Sequence, residues 1–276
     1  MPALSSAVIA EIFGAGAVAG AFGALLGLGG GVFLVPFLNV VVGLPVKVAL
    51  ATSLMSVIAT SSAVSAETAG RGLINLRLGM LLEVASAAGG LLGALTLERL
   101  ADRTVFLLFA LVTAGVAAIM LSRLDRRNVM FDPAGDPGLL GGRFHDPESG
   151  REVIYRARRI PVALGASFVA GSVSGILGIG GGVLKVPVLI AWCGVPTRAA
   201  AATSALMIGV TAVASLPIQY ANGYVVPPIA GAAVLGVMLG SRAGFLVGAR
   251  AKARWLKMLM AGVLLFVSAT YFLKLR

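Results

Sequence analysis

One cysteine, Cys193, and one histidine, His145, stand in a chain of 276 residues. A single cysteine excludes an internal disulfide, and one cysteine with one histidine leaves no cluster able to hold a metal. Charge is also scarce. Asp, Glu, Lys and Arg make up 12% of the sequence, about half the share of a soluble domain. A soluble chain of this length needs far more polar surface to cover one core. No nucleotide-binding loop is present, and Gly27-Leu28-Gly29-Gly30-Gly31-Val32 lacks the last glycine of a dinucleotide fingerprint. No cofactor is therefore expected. Catalysis has little to work with, because His145 falls in a polar segment and Glu11, Glu67 and Glu83 form no motif. An enzyme is not expected. Met1 to Ser6 carry no basic cluster and Glu11 interrupts the first apolar run, so no cleaved signal peptide is expected.

What is abundant is apolar. Hydrophobic residues make up 58% of the chain, and mean hydropathy is +0.99. The 37 glycines fit helices that approach closely in lipid, where no hydrophobic effect drives them together. The net charge of +11 does not indicate nucleic acid. Lys and Arg gather at the ends of apolar runs and in one central segment, as in loops beside anionic lipid. The composition implies an all-α polytopic protein of a cell inner membrane or plasma membrane, with the bilayer as its partner. It carries no reading of oligomeric state.

The chain aligns with itself at a separation of 151 positions. Gly27, Gly29, Gly30, Gly31, Val32 and Pro36 match Gly178, Gly180, Gly181, Gly182, Val183 and Pro187. Ala51-Thr52-Ser53 matches Ala202-Thr203-Ser204, and Gly89 and Gly93 match Gly240 and Gly244. Such self-similarity marks duplication. The expected organisation is a first transmembrane repeat over 1–123, a connector over 124–159 and a second repeat over 160–276. Five membrane segments are expected in each copy, at 7–28, 32–43, 46–66, 74–97 and 104–122, then 160–179, 183–194, 197–217, 227–248 and 255–273. The second of each five is too short to span, so it is a half-helix or the return arm of a re-entrant hairpin.

The connector is expected to be cytoplasmic and solvent-exposed, with a small hairpin between Phe144 and Tyr155. Orientation follows from the positive-inside rule. With the connector inside, and Lys185 and Arg242 set aside as intramembrane, inverted copies leave 15 Lys and Arg inside and 5 outside. Parallel copies leave 12 and 8. Two inverted repeats are the expected architecture.

Three consecutive glycines cannot continue a helix cheaply, and freed backbone in lipid is tolerated only against protein or a water-filled cavity. Secondary transporters place substrate at such breaks, with a half-helix N-terminus aimed at an anion. Gly29, Gly30, Gly31, Gly180, Gly181 and Gly182 are thus candidate substrate-binding residues. Lys185, three residues past the second break, adds a formal charge where ionisable groups are functional by default. Thr52, Ser53, Thr203 and Ser204 offer hydroxyl donors. Glu83 has two readings: the carrier of a coupling proton, or the structural partner of Arg242. Gly236, Gly240, Gly244 and Gly248, spaced by four, read as a packing stripe.

The doubled glycine-then-proline motifs, Gly29 to Pro36 and Gly180 to Pro187, resemble those of the sulfite exporter TauE/SafE family of membrane permeases. So do Gly194-Val195-Pro196 and the connector from Asp146-Pro147 to Arg156. The resemblance covers nearly the whole chain. It implies a permease for sulfur oxyanions, organosulfonates or other small organic anions. A secondary transporter linked to the proton gradient is the leading expectation for this chain. A channel-like anion pore is the competing reading.

Overall fold

The computed structural model describes residues 5–26, 29–68, 70, 72–122, 136–146, 151–248 and 253–274. The first copy supplies α1 (Ser6–Leu26), α2 (Gly31–Pro36) with a π-helical turn (Phe37–Val41), α3 (Val46–Thr68), α4 (Leu76–Arg99) and α5 (Asp102–Ser122). The second supplies α6 (Ile160–Leu177), α7 (Gly182–Ala191), α8 (Thr197–Ala221), α9 (Pro227–Gly248) and α10 (Ala253–Lys274). Between them lie β1 (Gly142–Asp146) and β2 (Arg151–Tyr155). Among the described residues five helices, α1, α3, α4, α6 and α8, are long and apolar enough to cross a bilayer. The protein is a polytopic, mainly helical membrane protein.

The short segment differs between the copies. Pro36 removes an amide from the first, and the chain continues as a π turn to Val41. The second carries Pro187 and stays α-helical to Ala191.

The two copies interlock. Helix α1 packs on α9, and α4 on α6, which exchanges equivalent helices between copies. Glycine makes these crossings possible. A Cβ on Gly236, Gly240 or Gly244 would strike the carbonyls of Phe13, Ala17 and Ala21, in that order. A Cβ on Gly89 or Gly93 would strike those of Phe168 and Ser172. Contacts rise together along both chains, so each of these pairs runs parallel. The packing stripe expected at Gly236, Gly240 and Gly244 brings α1 against α9; the contacts of Gly248 lie outside what is described.

Helix α3 packs on its own equivalent, α8, in the opposite sense. Leu54, Val57 and Ile58 cluster with Ile208, Ala212 and Leu216, while Ser61 Oγ donates to the Ala205 carbonyl at 2.6 Å. Helices α5 and α10 do the same: Phe109 packs in a tilted pair on Tyr271, and Ser268 Oγ donates to the Ala110 carbonyl.

The connector hairpin forms as the sequence suggests, with Gly142 opposite Tyr155 and Phe144 opposite Val153. It is not simply solvent-exposed, which corrects the sequence reading. Phe144, Val153 and Tyr155 are buried in one cluster with Leu78, Leu82, Ala163, Leu189, Cys193, Val195, Ala199, Ala200 and Met207. Alternation turns one face of the hairpin into a lid on the helix ends. Asn75 anchors it. Its side chain caps α4 by accepting from Leu78 N–H at 3.0 Å, and donates to the Leu140 and Gly141 carbonyls and to Tyr155 Oη. Burial pushes the Tyr155 hydroxyl above its ordinary value.

Candidate functional site

Both glycine breaks form as loops that only glycine tolerates. Gly29, Gly30, Gly180 and Gly181 have φ of 84°, 69°, 78° and 68°, in the left-handed region that an L side chain enters at a cost. Each break folds back on the preceding helix at an equivalent point. A Cβ on Gly30 would lie 2.6 Å from the Ala19 carbonyl, and one on Gly181 2.8 Å from that of Ala170.

The two breaks meet. A Cβ on Gly31 would lie 2.8 Å from the Gly178 carbonyl, and Ser53 Oγ donates to that same carbonyl at 2.6 Å. Gly29 and Gly180 both face Val57 of α3 and Ile208 of α8. The glycines Gly29, Gly30, Gly31, Gly180, Gly181 and Gly182 are all buried. The centre is closed by two apolar side chains and lies at the α3–α8 crossing.

The four hydroxyl residues separate. Ser53 binds the second break. Thr203 Oγ1 accepts from the Asn75 N–H at 3.0 Å, at the hairpin end. Thr52 Oγ1 and Ser204 Oγ are buried with no partner among the described residues.

One helical turn from the breaks lies the polar centre. Gly181 caps the start of α7, and its carbonyl accepts from the Lys185 N–H at 3.0 Å. Lys185 Nζ reaches Glu83 Oε2 of α4 at 3.2 Å and Thr211 Oγ1 of α8 at 2.7 Å. Thr211 Oγ1 lies 2.5 Å from Glu83 Oε1 and 2.9 Å from Ser86 Oγ. Lys185 is 2% exposed and Glu83 3%, and among the described residues no other charged side chain is buried. Two buried charges persist only when paired and hydrogen-bonded on both sides. This nest satisfies both.

The partner of Glu83 is therefore Lys185. Arg242 is exposed on α9, and α9 packs on α1 and α3 rather than on α4, so the pairing with Arg242 is overturned. The nest also breaks the repeat symmetry. At the equivalent positions of the other copy stand Leu34, Val234 and Thr60, so only Thr211 has a polar counterpart. Thr211 and Ser86 were missed in the sequence. The signal for Thr211 was its spacing of eight from Thr203, two turns along one face of α8. Among the described residues, no three His, Cys, Asp or Glu come together to hold a metal.

Comparison with known proteins adds a family. The family model described as Sulfite exporter TauE/SafE matches residues 12–271. The Probable membrane transporter protein YunE of Bacillus subtilis (strain 168) is 25% identical over 259 residues, covering 91% of this chain and 93% of its own length. No solved structure matches the chain.

Proposed function

This chain belongs to the sulfite exporter TauE/SafE family, and we propose that within it the protein is a secondary permease carrying small anions together with protons. The observation that carries this reading is the Lys185–Glu83 pair, sealed beside a glycine break on a half-helix. Sulfur oxyanions and organosulfonates are the substrate class. The membrane is a cell inner membrane or plasma membrane.

The pair supports a coupling rule. With Glu83 ionised, Lys185 is neutralised and offers an anion nothing. A proton on Glu83 removes that neutralisation and leaves a buried cation, which is costly until an anion replaces the carboxylate. Proton and anion then enter together, and a monovalent substrate crosses with no net charge. Thr211 and the free N–H groups at the start of α7 supply further donors. Val57 and Ile208 must part for the anion to pass between the breaks, so the closed centre is read as an occluded state.

Inverted copies remain the architecture of this proposal. The antiparallel run of α3 on α8 and of α5 on α10 supports it, because equivalent helices of parallel copies would run the same way.

Purified protein in sealed vesicles tests the function. Uptake of sulfite, thiosulfate, a sulfonate and a carboxylate would be followed with and without an imposed pH gradient. Saturable uptake accelerated by the gradient supports the permease. Unsaturable flux blind to pH would favour the channel-like pore, and preference for carboxylates would move the substrate to other small organic anions.

A further inference from the structure

The nest does not sit in uniform surroundings along α8. Thr203, Met207, Thr211, Ser215 and Gln219 recur every four residues and so form one ridge that winds slowly around the helix. Toward the start of α8 this ridge is shut. Thr203 is tied to Asn75, and Met207 joins the apolar cluster of Leu78, Leu82, Phe144, Val153 and Tyr155.

Toward the end of α8 the same ridge stays polar. Ser215 Oγ donates to the Thr211 carbonyl at 3.0 Å and faces Gly90 of α4. Gln219 Nε2 donates to the Gly175 carbonyl of α6 at 3.3 Å. Two polar atoms here are sealed without a partner among the described residues: Gln219 Oε1, in a residue 1% exposed, and Ser174 Oγ, in a residue 0% exposed. Ser174 also lies against Gly181, so this region touches the second break. Native proteins pair nearly all buried polar atoms with protein or water. Two unpaired acceptors on one line with an ion pair, bordered by glycines on the facing helices, mark a path built for water.

We infer that the α8 ridge from Thr211 through Ser215 to Gln219, walled by Ser86, Gly90, Ser174 and Gly175, is a water track. It delivers protons to Glu83 from the side of the membrane opposite the hairpin. The ligand is water and its hydrated proton. Gln219 is the positioning residue at the end of the track away from the hairpin, holding water through its free Oε1. Glu83 is faced by Lys185 from α7 and by Thr211 from α8; α6 carries no titratable side chain. The direction of the track stands on geometry alone, whereas the proton as its cargo rests on the function proposed above.

Thiol accessibility tests it in a Cys193→Ser background. Single cysteines at Ser215, Gln219 and Met207 would be exposed to a small charged methanethiosulfonate, which needs a hydrated thiol, added to one face of sealed vesicles. Ser215→Cys and Gln219→Cys should react at least ten-fold faster from the face away from the hairpin, and Met207→Cys from neither. Ser174→Cys, a near-isosteric change on the facing wall, carries the same expectation should either α8 variant not fold. Equal rates from both faces, or no reaction at the track positions, would overturn the track. Proton delivery is read separately. Gln219→Leu should slow the substrate-driven pH change by ten-fold or more while Gln219→Asn retains it. A labelled track with no pH change in the wild type would refute proton coupling and leave the water path standing.

Discussion

Val57 and Ile208 occupy the same position in the two repeat copies, and each covers both glycine breaks. A Cβ on Gly29 would lie 2.9 Å from Ile208 Cδ1 and 3.2 Å from Val57 Cγ1; one on Gly180 would lie 2.7 Å from Val57 Cγ1. The α3–α8 crossing thereby becomes an apolar bolt between two half-helices.

Shortening the bolt should open a leak. In soluble cores Ile→Ala costs about 2–5 kcal/mol, and in lipid the packing part of that loss remains. Val57→Ala with Ile208→Ala should unfold at lower temperature yet release preloaded anion faster than wild type. Efflux at the wild-type rate from a folded double variant would remove the bolt from the mechanism.

The nest predicts opposite outcomes for single and double changes. Lys185→Ala should weaken anion binding ten-fold or more, since a hydrogen bond to a charged group is worth about 1.5–3 kcal/mol. It also strands Glu83, and an uncompensated buried charge costs about 3–5 kcal/mol. Lys185→Met combined with Glu83→Leu should recover thermal stability and still fail to bind. Full affinity in Lys185→Ala would dismiss the lysine from the site.

Glu83→Gln separates coupling from passage. It mimics the protonated acid, so substrate counterflow should persist while uphill, gradient-driven uptake disappears. Normal uphill uptake in this variant would end the coupling role.

The orientation of the copies is measurable at equivalent exposed positions. Gly70 and Ala221 share a place in the repeat, and a Cβ at Gly70 would meet open space. Cysteines there, with Cys193→Ser, should be labelled by an impermeant reagent from opposite sides of the membrane. Labelling of both from one side would establish parallel copies.

The hairpin should be separable from the bundle. Asn75→Ala removes a helix cap, worth about 0.5–2 kcal/mol, together with the bonds to Leu140, Gly141 and Tyr155. Proteolysis between β1 and β2 should quicken in this variant, with a smaller effect in Tyr155→Phe. The buried Tyr155 hydroxyl is held above its ordinary value, so docking is full below about pH 10 and weakens as pH rises further. Tyrosinate absorbance followed alongside proteolysis would check that sign.

Much of this protein was legible in one dimension. The duplication, the helix boundaries, the glycine breaks and the connector hairpin are written in spacing and composition, because helix length, turn formation and lipid solvation depend on neighbours in the chain. Lys185 and Glu83 could each be singled out for the same reason: a charge inside an apolar run is visible as such. Their pairing was not visible. It joins α4 to α7 across 102 positions, and nothing in either segment records which faces the fold brings together, so Arg242 stood as the expected structural partner of Glu83. The hairpin's docking and the bolt of Val57 and Ile208 belong to the same class. Apolar side chains carry no mark of their neighbour in sequence; only the crossing of packed helices, set by where glycine lets backbones touch, assigns one.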